Sequence, residues 1–192
     1  YGKWHLGGGE GAPEAFEYGI DECRVNAGNG PYLGFRTNDV GPMRASSSEI
    51  IVDESIEFID RDRESPFTLN IWLNDTHATL DPDEQQLEPY LKEIPTGLEG
   101  KHAGANAIYF AAVTNADRHI GRLLDHLDEV GLTENTIVIF SADNGPEDIA
   151  IRNSAHSGVG SPGPFRGRKR SLYEGGVRTP FILRWPSGGT PA

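Results

Sequence analysis

Two segments of the chain carry hydrophobic residues at the spacing of an amphipathic helix. The first covers residues 46–67, begins with serines that can cap a helix, and has a proline near its end. The second covers residues 105–131 and ends at a glycine, which commonly terminates helices. The apolar positions at intervals of three or four are Val52, Ile56 and Ile59 in the first segment and Tyr109, Val113, Ala116, Ile120, Leu123 and Leu127 in the second. We therefore predict two helices that each pack one face into a core.

Three shorter apolar runs are typical of β-strands, and the first of them is typical of a buried strand. Residues 66–75 lie between a proline and an aspartate, residues 135–145 are rich in β-branched side chains, and residues 179–186 follow a long polar loop. Helices that alternate with such strands favour an α/β fold with a mainly parallel or mixed sheet and helices on both faces. Because no repeat, low-complexity tract or linker interrupts the pattern, we expect residues 1–192 to form one unit.

The charge and composition of the chain exclude some classes of binding partner. The 192 residues carry a formal net charge of −12, whereas nucleic acid or an anionic membrane would need a basic surface. No apolar run approaches the roughly 18 residues of a membrane span. Cys23 is the single cysteine, so the sequence holds no internal disulfide framework. We expect neither nucleic acid as a partner nor a membrane span.

Polar residues that can bind ligands follow two of the predicted strands. In open α/β sheets, ligands bind outside the carboxyl ends of the strands, where this chain places His77 after the first run and Asp143 and Asn144 after the second. Carboxylate and amide oxygens suit Ca²⁺ or Mg²⁺, and the alternative is an ordinary Asx turn that closes the strand. Since Ca²⁺ takes about 6–8 oxygens, Asp143 and Asn144 require further ligands from elsewhere.

Cationic side chains suited to an anion occur at two places in this acidic chain. One is a loop with four basic residues in five positions: Arg166, Arg168, Lys169 and Arg170. Such a cluster suits an anionic substrate group such as sulfate or phosphate, and the alternative is a solvated basic loop. The turn-forming YEGG that follows favours a shaped loop. At the start of the chain, Lys3 and His5 would share one face of an extended segment.

In order and spacing, these segments resemble the sulfatase family, within the alkaline-phosphatase-like superfamily of α/β hydrolases. GKWHLG at residues 2–7 matches the second sulfatase signature, and SADNG at 141–145 matches the metal loop. GRKRSLYEGGVRTPFILRWP at 167–186 matches the stretch with a later active-site lysine, and PFTLNIWLNDTHATLD at 66–81 resembles the segment that supplies a second histidine. The resemblance, to enzymes of N-acetylgalactosamine-6-sulfatase or arylsulfatase type, implies a partial sulfatase catalytic domain. It also implies formylglycine-dependent, Ca²⁺-assisted hydrolysis of a sulfated carbohydrate or aryl sulfate.

The resemblance implies a role for each matching residue. Lys3 would bind the sulfate and the oxygen of the nucleophile, and His5 would act as the base on the covalent intermediate. His77 and Lys169 would contact the sulfate ester, and one of them would assist the leaving group. The remaining roles are a supporting substrate contact by Arg166 and ligation of Ca²⁺, rather than Mg²⁺, by Asp143 and Asn144.

The chain departs from the family at the nucleophile. Sulfatases make formylglycine from Cys or Ser in a C/S-x-P-x-R motif upstream of the lysine-histidine signature, and the 192 residues contain no such motif. Cys23, in DECRVN, lies downstream of the signature without the Pro or the Arg, which favours an incidental thiol. The family's two other metal aspartates are missing as well. We therefore expect the formylglycine upstream of Tyr1, and residues 1–192 as the central part of one catalytic domain without its N-terminal strands and C-terminal subdomain.

Two other functions stay open on the sequence. One is a phosphonate or phosphate ester hydrolase of the same superfamily, and the other is a non-catalytic remnant that keeps the anion site. The resemblance implies a periplasmic, secreted or lysosomal location. Of the other histidines, His119 and His126 are expected at the surface of the long helix, and His156 either contacts substrate or is structural. A glycan on the Asn74 sequon would obstruct a pocket at His77, so we expect that sequon to be a chance occurrence.

Overall fold

The structure is a computed structural model that describes residues 1–4, 11, 13, 15–26, 45–61, 64–93, 104–148 and 156–188. The α-helices in these ranges are α1 (Ser47–Arg61), α2 (Glu84–Leu87), α3 (Ala105–Glu129) and α4 (Glu174–Val177), and the strands are β1 (Gly2–Lys3), β2 (Val25–Asn26), β3 (Val138–Ser141) and β4 (Phe181–Arg184). The 3-10 helices are Ala15–Tyr18, Glu88–Glu93, Thr133–Asn135, Ser157–Val159 and Pro186–Gly188. None of the helices described combines the length and the apolar character that crossing a membrane requires.

The two long helices, α1 and α3, form the core. Both helices predicted from periodicity are confirmed, and they pack against each other. α1 buries Ile51, Val52 and Ile59, and α3 buries the small side chains of Ala107 and Ala111. Small residues on one helix allow a close approach of the other. A polar contact also joins the two helices, since the His126 Nε2 of α3 lies 3.0 Å from a carboxylate oxygen of Asp60 of α1.

The buried face of α3 differs from the predicted one. Val113, predicted in the core, is 40% exposed, whereas His119, predicted at the surface, is 1% exposed. His119 can stay buried because Arg122 donates a hydrogen bond to its Nδ1 at 2.9 Å, and Arg122 also binds Asp53 of α1 at 2.6 Å. Burial, with the charges of neighbouring arginines, lowers the pKa of His119 and favours the neutral imidazole. His126, the other predicted surface histidine, is half-buried.

The strands form two short pairs of opposite kind. β1 and β2 are parallel, and Trp72 adds a parallel bridge to Gly2. β3 and β4 are antiparallel, so the described strands are mixed in direction. The strands predicted within residues 135–145 and 179–186 are therefore confirmed, and their pairing matches the mixed alternative.

The regular buried strand predicted for residues 66–75 is wrong. Among the described residues of this segment, Trp72 alone forms a bridge, in which its N–H donates to the Tyr1 carbonyl and its carbonyl accepts from the Lys3 N–H, each at 2.9 Å. Most of the segment alternates between exposed and half-buried side chains, because successive side chains of an extended backbone point to opposite faces. Among the described residues, its neighbour is β1, which is two residues long. The extended backbone continues directly into the turn that carries His77.

β3 and β4 leave their apolar side chains exposed. Ile139 is 57% exposed, Phe140 45% and Ile182 58%, whereas the predicted fold class has helices on both faces of the sheet. In the part of the chain that the structure describes, α1 and α3 pack on each other. Helices that cover β3 and β4 are therefore not seen among the described residues.

Candidate active site

His77 lies in a turn that follows the bridge at Trp72, and we call residues 74–77 the His77 turn. The His77 N–H donates to the Asn74 carbonyl at 3.0 Å, and Thr76 adopts a left-handed φ of 54°. The Nδ1 atom of His77 lies 2.7 Å from the carbonyl oxygen of the next residue. Because a carbonyl can only accept, Nδ1 carries the proton, and Nε2 is the ring nitrogen that can take or release one.

The sequon asparagine of this turn is buried. Asn74 is 8% exposed, and its carbonyl is occupied by the His77 N–H. An N-linked glycan needs an exposed asparagine side chain. The burial therefore supports the interpretation of the sequon as a chance occurrence.

The turn is anchored by a group of polar side chains that we call the Asp75 cluster: Asp75, Ser48, Asn115 and Gln86. The Asp75 carboxylate accepts hydrogen bonds from the Ser48 hydroxyl of α1 and from the Asn115 side chain of α3, the latter at 3.4 Å. Gln86 of α2 donates to the Asn115 side-chain oxygen at 3.0 Å. The pattern of apolar positions does not predict this cluster, because a polar residue on a helix gives no sign of which distant residue it contacts.

Tyr109 of α3 lies near the His77 turn and near Gly160. The Thr76 side chain is close enough to the Tyr109 hydroxyl to affect its pKa. A Cβ placed on Gly160 would lie 2.8 Å from that hydroxyl and 3.0 Å from the Cβ of Pro146, so glycine permits this approach. Burial raises the pKa of Tyr109, and the opposing effects of a nearby arginine and of Thr76 are smaller. Tyr109 therefore lies near the His77 turn on one side and near Gly160, which adjoins Pro146, on the other.

The loop after β3 carries the predicted metal ligands. Asp143 is exposed and Asn144 is half-buried. The Asn144 side-chain amide donates to the Gly145 carbonyl at 2.8 Å, which leaves its Oδ1 as the atom able to bind a cation. The Gly145 N–H donates to the Gly176 carbonyl at 2.9 Å, and a Cβ on Gly145 would collide with the carbonyl of Gly175. Glycine at this contact therefore lets the loop lie directly against α4.

Lys169 lies beside this loop. Its N–H donates to the Pro146 carbonyl at 2.9 Å. Its Nζ is 3.9 Å from a carboxylate oxygen of Glu147, which also accepts a hydrogen bond from Arg170. Burial would raise the pKa of Glu147, but the Asp148 N–H and the Arg170 guanidinium outweigh it, so the pKa lies below its ordinary value. The structure therefore brings Lys169 to the loop with the predicted metal ligands.

Arg168 contacts protein carbonyls. Its guanidinium donates to the carbonyl oxygens of Glu147, Gly158 and Gly160, at distances of 3.3, 3.3 and 2.9 Å. These bonds hold the turn that begins at His156 against the loop after β3. Arg168 therefore shapes the loop around Lys169, a role that the sequence pattern did not separate from anion binding.

The remaining predicted site residues lie at the edges of this region or outside the described residues. Lys3 is half-buried in β1, and its N–H donates to the Trp72 carbonyl at 2.9 Å, next to the segment that leads to the His77 turn. His5 lies outside the described residues. Arg166 is exposed, with its guanidinium carbon 3.9 Å from the centre of the Tyr173 ring, a cation–π contact. Its proposed contact with substrate stays a prediction.

The oxygen donors of the loop fit Ca²⁺ in kind but not in number. Asp143 and Asn144 offer a carboxylate and an amide oxygen, which are hard ligands. Within the described ranges, no group of three or more His, Cys, Asp or Glu side chains is placed to hold a metal ion. Since Ca²⁺ takes about 6–8 oxygens, a site here needs further ligands besides Asp143 and Asn144.

Comparisons with known proteins agree with these features. A family model described as Sulfatase matches residues 1–191. N-acetylgalactosamine-6-sulfatase from Mus musculus is 30% identical over 96% of this chain and 36% of its own length. N-acetylgalactosamine-6-O-sulfatase from Bacteroides thetaiotaomicron is 32% identical over 84% of this chain and 30% of its own length. The chain thus spans about a third of the length of these curated relatives.

A solved structure from Bacteroides thetaiotaomicron is similar in fold. Its description concerns the metabolism of multiple glycosaminoglycans, and it matches with a TM-score of 0.60 and 31% identity. The match covers 74% of this chain and 28% of that chain. The likeness confirms the predicted α/β architecture of a partial domain.

Proposed function

Because this chain belongs to the sulfatase family, we propose that it forms the central part of a catalytic domain that hydrolyses a sulfuric ester of a carbohydrate. The observation that carries the proposal is the hydrogen bond that holds Lys169 against the loop of Asp143 and Asn144. Tyr109 lies near the His77 turn and near Gly160, which adjoins Pro146 of the same loop. A cation, oxygen ligands and a histidine are what transfer of an anionic sulfuryl group requires. The names of the two relatives support a carbohydrate substrate.

Each candidate side chain has a proposed role in the hydrolysis of the sulfate ester. Lys169 and Lys3 would pair with the sulfate oxygens, and Arg166 would support them from the edge. His77 would be protonated on both ring nitrogens, with the Nδ1 proton held by a carbonyl. It would deliver the Nε2 proton to the ester oxygen as the bond from sulfur to the leaving alcohol breaks, which leaves a neutral imidazole. A formylglycine outside these residues would supply the attacking oxygen. His5 would act as the base in the second half of the reaction.

We further propose that Asp143 and Asn144 ligate Ca²⁺, which would neutralise charge on the sulfate. In the full-length protein, with the upstream nucleophile motif, Asp143→Asn should weaken Ca²⁺ binding by about tenfold or more, because the amide carries no charge. Calorimetric Ca²⁺ titration measures the affinity, and Asp128→Asn, an exposed aspartate in α3, is the matched control. Unchanged Ca²⁺ affinity in Asp143→Asn would contradict the assignment. If the activity of the chelated protein returns with Mg²⁺ but not with Ca²⁺, the assigned metal would be Mg²⁺ instead of Ca²⁺.

A comparison of ester substrates tests the proposed reaction. We expect the full-length protein to hydrolyse an aryl or carbohydrate sulfate with a kcat/KM at least about 10²-fold above that for a matched phosphate or phosphonate ester. Arg168 is engaged by protein carbonyls and Arg170 by the Glu147 carboxylate, whereas the Lys169 Nζ lies farther from Glu147, at 3.9 Å. The loop therefore offers mainly Lys169, which suits a monoanionic sulfate better than a dianionic phosphate. Faster turnover of the phosphonate or phosphate ester than of the sulfate ester would favour the alternative function, a phosphonate or phosphate ester hydrolase. Binding of sulfate esters without turnover would favour a non-catalytic anion-binding protein.

The proposed substrate and location follow the family. An extracytoplasmic location, whether periplasmic, secreted or lysosomal, gives access to sulfated carbohydrates outside the cytoplasm. The net charge of −12 disfavours nucleic acid as a competing partner. Fractionation of cells that express the full-length protein measures the location, and recovery of the active enzyme in the cytoplasm alone would contradict it.

A further inference from the structure

We propose that Asp75 is a positioning residue for His77, whose turn it ties to α1 and α3. The inference rests on the proposed role of His77 in proton transfer. Only one residue, Thr76, separates Asp75 from the histidine. Asp75 can therefore act on His77 through the backbone of the turn, without contacting substrate. It would act by fixing the backbone from which the imidazole projects.

Asp75 is bound from two helices at once. Its Oδ2 atom accepts a hydrogen bond from the Ser48 hydroxyl of α1, and the Asn115 Nδ2 of α3 lies 3.4 Å from the same oxygen. Ser48 is 0% exposed and Asn115 is 5% exposed, so water competes little for these bonds. Hydrogen bonds to an ionised carboxylate are also stronger than those between neutral groups. The anchor therefore belongs to the packed core rather than to the surface.

Two other side chains of the Asp75 cluster present hydrogen-bond donors to position 75. The Gln86 side-chain amide donates to the Asn115 Oδ1 at 3.0 Å and to the Ala45 carbonyl at 2.9 Å. Because its oxygen is engaged in this way, Asn115 directs its Nδ2 donor towards Asp75 and the Ala45 carbonyl. The Ser48 hydroxyl faces Asp75 as a second donor. A carboxylate, which accepts and does not donate, is therefore the matching side chain at this position.

The backbone of the His77 turn depends on such an anchor. Thr76 has a φ of 54°, a left-handed conformation that a β-branched residue adopts only when its surroundings hold it there. Asp75 fixes one side of Thr76, and on the other side the His77 N–H bonds to the Asn74 carbonyl. Without the carboxylate the turn can relax and move the imidazole. A displacement of about 1 Å can cost about 10²-fold in rate.

A double-mutant cycle in the full-length protein tests the inference. We expect Asp75→Ala to lower kcat for a sulfate ester by about tenfold or more. The double variant with His77→Ala should be no slower than His77→Ala alone, because Asp75 then has no imidazole to position. Asp75→Asn, which keeps the shape and one accepting oxygen, should recover part of the loss. The control Asp128→Ala changes an exposed aspartate near the end of α3, and it should stay within about twofold of wild type.

The outcomes separate this inference from the proposed function. A slow His77→Ala variant combined with a wild-type kcat in Asp75→Ala overturns the inference alone. Losses that multiply in the double variant also overturn it, since they show an effect of Asp75 that is independent of His77. If circular dichroism shows that Asp75→Ala is unfolded, the cycle is run with Asp75→Asn and interpreted in the same way. A wild-type rate in His77→Ala contradicts the proposed role of His77 itself and removes the inference with it.

Discussion

Alanine at His77 or at Lys169 in the full-length protein should lower kcat for a sulfate ester by about 10²-fold or more, the scale of one positioned proton donor or charge. The two side chains lie 92 positions apart in sequence. Lys169 contacts the loop after β3 through Pro146, and the His77 turn lies near Tyr109 of α3. Steady-state kinetics on an aryl sulfate measure the effect. Wild-type rates in both variants would refute the assignments.

The histidine variant should lose the proton that the leaving alcohol needs. The Nδ1 atom of His77 is committed to a carbonyl oxygen at 2.7 Å, so the proton for catalysis comes from Nε2. A substrate whose leaving group is a good anion, such as a nitrophenol, needs less protonation. The loss should therefore be smaller for a nitrophenyl sulfate than for a carbohydrate sulfate. His126→Ala, a half-buried histidine of α3 that pairs with Asp60, is the matched control.

The lysine variant should lose charge neutralisation. Lys169 is held by a backbone hydrogen bond to Pro146, and its ammonium lies 3.9 Å from Glu147. Lys169→Arg keeps the charge but spreads it over a planar group, so its kcat should lie between those of Lys169→Ala and the wild type. Lys92→Ala, an exposed lysine, should retain the wild-type rate. An equal loss in the two lysine-site variants would show that geometry rather than charge matters at this position.

The helices of the fold could be predicted from the sequence, whereas the strand between residues 66 and 75 could not. The spacing of Val52 and Ile59 depends only on local geometry, and α1 buries both residues as predicted. A strand depends instead on a neighbour distant in sequence, and Trp72 finds only Gly2 among the described residues. For the same reason periodicity placed His119 at the surface, since the Arg122 bond that allows its burial is a tertiary contact.

The candidate site shows the same division between motif and contact. Motifs identified Lys169, Asp143 and Asn144, and the structure adds the hydrogen bonds that place their loops together. The sequence grouped Arg168 with the anion-binding cations, but three carbonyls that no motif marks engage its guanidinium. The Asp75 cluster draws on three helices and was beyond any local pattern. The sequence could therefore predict the candidate site residues that belong to short motifs. It could not predict the tertiary contacts that position them.

Residues 1–192 expressed alone should show no sulfatase turnover, whereas a longer polypeptide with the upstream C/S-x-P-x-R motif should be active. The reason is chemical: Lys3, His77 and Lys169 bind charge or move protons, but none supplies the attacking oxygen. Cys23, the single cysteine, has neither the proline nor the arginine of the modification motif. The assay incubates each polypeptide with a chromogenic aryl sulfate and Ca²⁺ and follows release of the phenol.

We expect turnover by the longer polypeptide and none by the short one. Contamination and misfolding could each produce or hide such a difference, so each needs its own control. The exposed apolar side chains of β3 and β4, such as Phe181 at 67% and Ile182 at 58%, favour association of the short polypeptide, which size-exclusion chromatography detects. In the longer polypeptide, Ala in place of the motif Cys or Ser removes the nucleophile but leaves the fold intact. That variant should be as inactive as the short chain. Turnover that co-purifies with the short chain and disappears in Cys23→Ser would instead make Cys23 the nucleophile and refute an upstream formylglycine.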